Sequence, residues 1–211
     1  MLLALDTATP FVTVALWDGR VVDADTGDRP MKHGELLAPM IDQALIRAGV
    51  RRQDLTGIAV GVGPGAFTGL RVGLVTARTL GLVLGIPVHG VCSLDVLAAA
   101  AVDDGQVEEP FLATIDARRK ELFWAAYDAQ GRRTDGPSVD RPADMPHDRP
   151  VVGAAGELYP DEFARTTGPL APDAATLARV VAEERVELLD PEPLYLRRPD
   201  AVAPGPPKKV S

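Results

Sequence analysis

A glycine-rich segment in the first half of the chain constrains the fold more than any other feature. The apolar run 55–62 leads into the loop Gly63–Gly69, and a helical apolar pattern follows over 70–84. A strand that enters a helix through a tight loop is a basic unit of an α/β layer. The loop matches neither the Walker ending nor the three-glycine dinucleotide spacing. Two interpretations stay open: an anion site at the helix start, or a rigid turn in which Thr68 caps the helix.

The helix after this loop carries small residues at four-residue spacing. Gly73, Ala77, Gly81 and Gly85 form this stripe. A glycine inside a helix costs up to about 1 kcal/mol relative to alanine, so something must compensate. Small side chains let a neighbouring element approach closely. The stripe therefore indicates either a face packed in the protein's own core or an interface with a partner helix.

The remaining patterns predict two related units. A strand at 2–5 and a hairpin through Asp18-Gly19 open the chain. A helix follows at 33–48, and Pro39 is a potential kink in it. Further along, a strand at 86–91 precedes a helix that Ser93 would cap. After the polar linker 102–109, strands at 111–116 and 121–129, joined by the charged turn 117–120, repeat the opening pattern. We expect a duplicated fold.

The second half is less regular. We predict a loop over 134–150, a short strand at 151–156 and a helix at 174–185. The resulting division is a first lobe at 1–103, a smaller second lobe at 104–196, and a disordered tail at 197–211 that is rich in proline. The fold class is α/β, with a mixed sheet and helices in each lobe.

The overall charge and the amino-terminal sequence bound the environment. A formal net charge of -8 with a pI near 4.9 argues against a basic surface for nucleic acid. The single Cys92 fits a reducing compartment. The opening residues lack a signal-peptide pattern, and apolar runs fall short of the roughly 20 residues of a membrane span. We expect a cytoplasmic protein with no membrane association.

Asp6, Thr7 and Thr9 follow the first strand, where a carboxylate and hydroxyls suit a hydrated cation and phosphate. The alternative is that they bond only turn amides. The three histidines have no partner at ligand spacing, and His33 is interpreted as a helix-start residue. No nucleophile elbow is present. The sequence therefore predicts no metal site and no catalytic residue.

Four segments resemble one known family. They are Leu-Ala-Leu-Asp-Thr-Ala-Thr at the start, His-Gly-Glu-Leu-Leu-Ala-Pro-Met-Ile from 33, Gly-Val-Gly-Pro-Gly-Ala-Phe-Thr-Gly-Leu-Arg-Val-Gly from 61, and Ile-Asp-Ala-Arg-Arg-Lys-Glu from 115. Together they are similar to the TsaB family of bacterial tRNA threonylcarbamoyladenosine biosynthesis proteins, also called glycoprotease-like. The resemblance runs from 2 to about 127 and weakens to 196.

The resemblance implies an actin-like fold and a non-catalytic subunit. Such a subunit would pair with and activate a catalytic TsaD, recruit the ATPase TsaE, and meet tRNA only through the complex, for modification of adenosine 37. Its partner face would use first-lobe helices, and a homodimer through the same face stays open. The candidate interface residues are Leu36, Met40, Leu70, Gly73, Ala77, Leu80 and Gly81.

Departures from the family pattern imply lost chemistry. Leu37 stands a helical turn after His33, where active relatives carry a second histidine. Asp116 is followed by Ala117 and bulky arginines rather than glycines, and Ala66 replaces a usual serine. We expect no cofactor, with ATP or ADP bound only weakly or within the complex through Asp6, Thr7 and Thr9. Two alternative functions are a phosphoryl or carbamoyl transferase that uses a cleft between the lobes and, ranked last, a peptidase.

Overall fold

The computed structural model describes residues 1–27 and 32–197 and contains two five-stranded sheets. The first half of the chain forms the first sheet and its helices. Its elements are β1 (Leu2–Asp6), β2 (Thr13–Trp17), β3 (Val21–Thr26), α1 (His33–Ala48), β4 (Gly57–Gly63), α2 (Phe67–Leu84), β5 (Val88–Cys92) and α3 (Ser93–Asp103). The predicted strands and helices of this half are confirmed in kind and order.

The second half supplies the second sheet. Its elements are β6 (Phe111–Asp116), β7 (Leu122–Tyr127), β8 (Arg133–Asp140), β9 (Val151–Gly153), α4 (Ala155–Leu158), β10 (Thr166–Thr167) and α5 (Ala174–Ala182). The predicted tail lies outside the described residues except for Arg197.

The two sheets have the same strand order. The first runs β3-β2-β1-β4-β5, and the second, read from its last antiparallel strand, runs β8-β7-β6-β9-β10. In each sheet the first strand pairs antiparallel with the second and parallel with the fourth. This repeat confirms the duplicated, actin-like two-lobed fold.

Alternation along the first sheet decides what covers each face. Leu3, Leu5 and Val14 point toward α1 and α2 in one apolar cluster. Ala4, Ala15 and Ala59 point to the other face. These alanines leave a shallow surface on which a helix can lie close.

Helix α5 covers that alanine face. Its Leu177 and Ala178, both fully buried, pack in the cluster of Ala4, Ala15 and Ala59. The range assigned above to the second lobe therefore needs a correction, because its last helix returns to the first lobe. The cause is the strong apolar face of α5, whose burial the alanine surface permits.

Several local predictions were wrong. The range 134–150, expected as a loop, contains all of β8 except its first residue; Pro137 is tolerated because β8 is an edge strand. The strand predicted at 151–156 ends at Gly153, where α4 follows. Neither Thr68 nor Ser93 caps a helix: the cap positions are Ala66 and Cys92, without side-chain hydrogen bonds.

Helix α2 is long and apolar enough to pass a length-and-hydropathy test for a membrane span. Core helices of globular proteins pass the same test, and here one face of α2 packs on the first sheet through Leu70, Leu74 and Ala77. The composition of α2 reflects that packing on one side.

Candidate functional site

The carboxylate of Asp6, at the end of β1, is enclosed by the first lobe. Asp6 is 1% exposed; its Oδ1 accepts a hydrogen bond from the Ala8 N–H at 2.7 Å, and its Oδ2 accepts one from the Ser93 hydroxyl at 2.6 Å. Burial raises the pKa of Asp6 from 3.8 to about 6, against the lowering effect of the Ser93 hydrogen bond. Both carboxylate oxygens are thus engaged inside the lobe, which does not support the expected contact with a nucleotide.

Thr7 and Thr9 are also engaged internally. The Thr7 hydroxyl donates to the Gly69 carbonyl at 2.9 Å, and the Thr9 hydroxyl accepts from the Phe11 N–H at 3.4 Å. His33, the first residue of α1 as predicted, places its Nε2 2.8 Å from the Thr9 carbonyl. Of the two interpretations of this segment, the structure favours the structural one, in which these side chains hold turns.

The glycine-rich loop packs against that same segment. A Cβ at Gly65 would lie 2.3 Å from the Ala8 carbonyl oxygen, and one at Gly69 would lie 2.6 Å from that of Thr7. Side chains at both positions would therefore force the two loops apart. These glycines are explained by contact between loops of this chain, although Gly65 and Ala66 also line the cleft described below.

Three of the four residues in the small-residue stripe face inward, whereas Gly85 follows α2 and is exposed. A Cβ at Gly73 would lie 2.3 Å from Thr7 Oγ1, and one at Gly81 would lie 2.3 Å from Val88 Cγ2. Ala77 is fully buried. Of the two interpretations of the stripe, the structure supports packing in the protein's own core. Its expected role as the partner interface is corrected.

The other predicted interface residues divide into two groups. Leu70 is fully buried and Met40 is 8% exposed, so neither is available to a partner. Leu36 and Leu80 are half-buried at the edge of the first core cluster. Only this last pair borders an accessible surface.

The outward side of α2 also carries exposed apolar side chains. Val75 is 62% exposed, Leu82 84% and Val83 75%. On α1, Ile46 is 68% exposed. His33 lies over Gly69, and a shallow groove lined by Asp42 and Thr79 lies between the helices further along, so α1 and α2 run side by side. We call the surface formed by Val75, Leu82 and Val83 on α2 the outer helix face.

The turn between β6 and β7 exposes charged side chains, whereas the turn after β1 encloses the Asp6 carboxylate. Arg118, Arg119 and Lys120 are exposed and have φ of 61°, 57° and 61°, in the left-handed region. Asp116 accepts from the Arg118 N–H at 2.8 Å and from its guanidinium at 3.1 Å. Three successive non-glycine residues in this conformation store backbone strain of about 1 kcal/mol or more each.

The last described segment, 189–197, crosses from one lobe to the other. Leu189 exchanges backbone hydrogen bonds with Gly90 at 2.8 Å, and the Leu194 N–H donates to the Val62 carbonyl at 2.8 Å. At the far end Arg197 donates to the Ala117 carbonyl at 3.1 Å and pairs with Glu121. We call 189–197 the strap.

The strap completes a cleft of about 740 Å³ between the lobes. Tyr195 stacks on Phe67 with ring centres 5.1 Å apart, and the Arg71 guanidinium lies 3.7 Å from the centre of the Phe67 ring. Arg71 Nε also donates to the Tyr195 hydroxyl at 3.2 Å. Arg71, Tyr195 and Arg197 were not predicted as site residues; the apolar residues 194–196 within a polar stretch were the available signal.

The described residues contain no group of three or more histidine, cysteine, aspartate or glutamate side chains placed to hold a metal ion. Leu37, at the position where active relatives were expected to carry a histidine, is 1% exposed in the first core.

Comparisons with known proteins agree with this geometry. Residues 30–164 match the family model TsaD, described as tRNA N6-adenosine threonylcarbamoyltransferase. The tRNA threonylcarbamoyladenosine biosynthesis protein TsaB of Escherichia coli is 31% identical over 93% of this chain and 94% of its own length. An uncharacterized protein of Mycobacterium tuberculosis is 40% identical over 94% of this chain and 92% of its own.

A solved structure is similar over nearly the whole chain. It is a Pseudomonas aeruginosa protein described as having similarity to the peptidase YeaZ, with a TM-score of 0.80 and 32% identity over 93% of this chain and 99% of that one. The described fold is thus shared by a crystal structure across both lobes.

Proposed function

Because this chain belongs to the TsaB family, we propose that it serves tRNA threonylcarbamoyladenosine biosynthesis as a non-catalytic subunit that pairs with a TsaD-type catalytic subunit. The outer helix face is the observation that carries the pairing. Its members Val75, Leu82 and Val83 are between 62% and 84% exposed on one side of one helix. Burial of a large apolar side chain contributes roughly 1.5–3 kcal/mol. Covering this surface with a partner would therefore stabilise the complex.

The matched family model supports the choice of partner. It is that of the catalytic transferase itself, and it includes α1 and α2 within residues 30–164. A TsaD-type subunit would carry a corresponding helix pair, so two related faces could pack helix against helix. Leu36 and Leu80 would border this contact. Activation of TsaD and recruitment of a TsaE-type ATPase extend the proposal and rest on the family resemblance.

The non-catalytic part of the proposal is supported by how the first lobe uses its polar groups. Asp6 and Thr7 are fully engaged in hydrogen bonds within the lobe. The transferase alternative depended on Asp6 and Thr9 as ligands for a nucleotide, and the Asp6 carboxylate is engaged within the lobe. The peptidase alternative, which the name of the Pseudomonas relative echoes, has no proposed nucleophile.

The test is size-exclusion chromatography with light scattering on this chain mixed with its cognate TsaD-type subunit. Leu82→Glu should weaken the heterodimer by at least about 30-fold, because interface hot spots contribute 2 kcal/mol or more. Leu170→Glu is the matched control, since Leu170 is 51% exposed in the part of the chain after β10. A wild-type chain that forms no heterodimer, or equal weakening by both variants, would refute the pairing.

A bulky residue on the small-residue stripe would not be informative. A side chain at Gly81 would collide with Val88 inside the first lobe, so loss of pairing would report misfolding. The surface variant at Leu82 avoids this ambiguity.

A further inference from the structure

The cleft between the lobes is unlike the rest of the molecule in charge. Its lining includes Arg71, Arg118, Arg119 and Arg197, with Asp116 as the one acidic residue among the lining residues described. The whole chain carries a formal net charge of -8. A concentration of arginine on an acidic protein marks a local site for an anion. Arginine is suited to phosphate because its planar fork can donate two parallel hydrogen bonds.

The cations lie on both walls and continue outward. Arg71 belongs to α2 in the first lobe, whereas Arg118 and Arg119 belong to the β6–β7 turn of the second. Lys120 extends the series on the exposed part of that turn. This distribution suits a chain of phosphates better than a single terminal phosphate group.

Aromatic rings stand beside these cations. Phe67 is 37% exposed and Tyr195 38%, and the two rings stack on each other. Arginine interleaved with exposed aromatic rings is the arrangement by which proteins hold single-stranded nucleic acid, with bases on the rings and phosphates on the cations.

The backbone of the basic turn gives independent support. Arg118, Arg119 and Lys120 all hold left-handed φ values that glycine would adopt without strain. Strain of this kind persists where the side chains serve a purpose and the surrounding structure enforces it. Here it projects basic side chains at the mouth of the cleft.

We propose that this cleft binds the phosphodiester backbone of a single-stranded stretch of RNA, with Arg71, Arg118 and Arg119 on the phosphates and the Phe67–Tyr195 pair beside a base. The choice of RNA rests on the proposed function, in which tRNA is the substrate of the complex. The chain would then contact the substrate directly, where its net charge alone predicts indirect contact.

The test is fluorescence anisotropy of a labelled short oligouridylate titrated with the full chain at several salt concentrations. Three phosphate contacts on a single strand predict a slope of log K against log salt of about -2. Arg118→Gln/Arg119→Gln should weaken binding at least about tenfold at low salt and bring the slope nearer zero by about 1.4, since each lost contact removes about 0.7.

The matched control is Arg20→Gln/Arg132→Gln, which removes the same charge from exposed positions in the β2–β3 and β7–β8 turns, at the strand ends away from the cleft. It should leave the affinity within about twofold of wild type, because charges beyond about 10 Å are screened at moderate salt. Equal weakening by the two double variants would mean bulk attraction and would overturn the site. No binding by the wild-type chain at low salt would overturn it as well.

Two further arms separate the alternatives. Titration with ATP and magnesium tests a small-molecule site: binding of ATP that the cleft variant abolishes, without binding of the oligouridylate, would overturn the RNA proposal. Pairing of the cleft variant with the TsaD-type subunit tests independence from the outer helix face. Retained pairing with lost RNA binding is the expected result, whereas loss of both would contradict a separate RNA site. Absent pairing by wild type would refute the proposed function without touching the RNA measurement.

Discussion

The two lobes end their first strands with the same residue and then use it differently. Asp6 closes β1 and Asp116 closes β6, and each accepts a hydrogen bond from the N–H two residues ahead, at 2.7 Å and 2.8 Å. The second oxygen differs: in Asp6 it meets the buried Ser93 hydroxyl, and in Asp116 it meets the guanidinium of Arg118. A duplicated turn has thus become core in one lobe and charged surface in the other.

Glycine explains how the first turn became enclosed. A Cβ at Gly61 would lie 1.8 Å from the Asp6 carboxylate and 2.8 Å from Ser93 Oγ. The absence of a side chain there allows β4 to close over the carboxylate. In the second lobe, positive φ values at Arg118 and Arg119 keep that turn open toward the cleft.

The strongest test of this comparison is Gly61→Ala. The added methyl group must displace a buried carboxylate, and we expect a loss of about 3–4 kcal/mol in the free energy of unfolding. Urea denaturation followed by circular dichroism measures it. Gly34→Ala is the control, because Gly34 lies in α1 with nothing within 4 Å of an added Cβ; it should stabilise by about 0.5–1 kcal/mol. Equal stabilities of the two variants would mean that the carboxylate is not enclosed.

The second test uses pH. Since the folded pKa of Asp6 lies near 6 and its ordinary value is 3.8, the folded chain binds more protons than the unfolded chain between these values. The contribution of Asp6 is therefore fully present below pH 3.8 and is lost as the pH rises through about 6, a change of up to about 3 kcal/mol. Asp6→Asn should remove this part of the pH dependence of urea stability.

The matched variant for the pH test is Asp116→Asn, at the equivalent position of the second lobe. The difference between the pH profiles of wild type and Asp6→Asn should vanish at low pH and grow toward pH 6. A profile for Asp6→Asn parallel to that of wild type would show that the carboxylate is not buried in solution.

A smaller effect is expected for Ser93→Ala. The hydroxyl of Ser93 donates to Asp6 and accepts from the Gly63 N–H at 3.3 Å, so its removal leaves two buried groups without a partner. We expect a cost of about 1–2 kcal/mol, measured by urea denaturation. Thr68→Ala should change stability by less than about 0.5 kcal/mol, because its exposed side chain caps nothing. If Ser93→Ala lowered the free energy of unfolding no more than Thr68→Ala does, the hydrogen bond between Ser93 and Asp6 would not contribute to stability.

The smallest expected effect concerns the exposed turn between β6 and β7 in the second lobe. Arg119→Gly relieves a left-handed φ of 57°, and we expect a net gain of about 0.5–1 kcal/mol in stability together with weaker RNA binding. Thermal unfolding measures the gain. Arg132→Gly, at an exposed position in the β7–β8 turn, should destabilise slightly. If Arg119→Gly lowered the melting temperature, the turn would not be strained.

The sequence predicted the architecture well and the site poorly, for one physical reason. Periodicity reports which side chains turn toward a core, and it located α1, α2 and the two opening strands because the backbone geometry of each element sets its own pattern. It does not report what lies on the opposite side of a small residue, so the stripe at Gly73 and Gly81 was assigned to a partner although it meets Thr7 and Val88.

The cleft depends on contacts between residues far apart in the chain. Arg71 meets Tyr195, and Arg197 meets Glu121. No local pattern encodes such meetings, since each depends on how the strap crosses the finished fold. The motif at Asp6 was likewise located correctly, but its burial depended on Gly61 and Ser93 and was not evident from the motif itself.

The return of α5 to the first sheet has a consequence for how the chain is made. During synthesis the alanine face of the first sheet emerges early, while the helix that covers it emerges after the entire second lobe. Until then the nascent first lobe carries an exposed apolar surface of the kind that recruits chaperones or aggregates. The two halves of the polypeptide should therefore reach the native state together, and a transcript truncated before codon 174 should yield insoluble product.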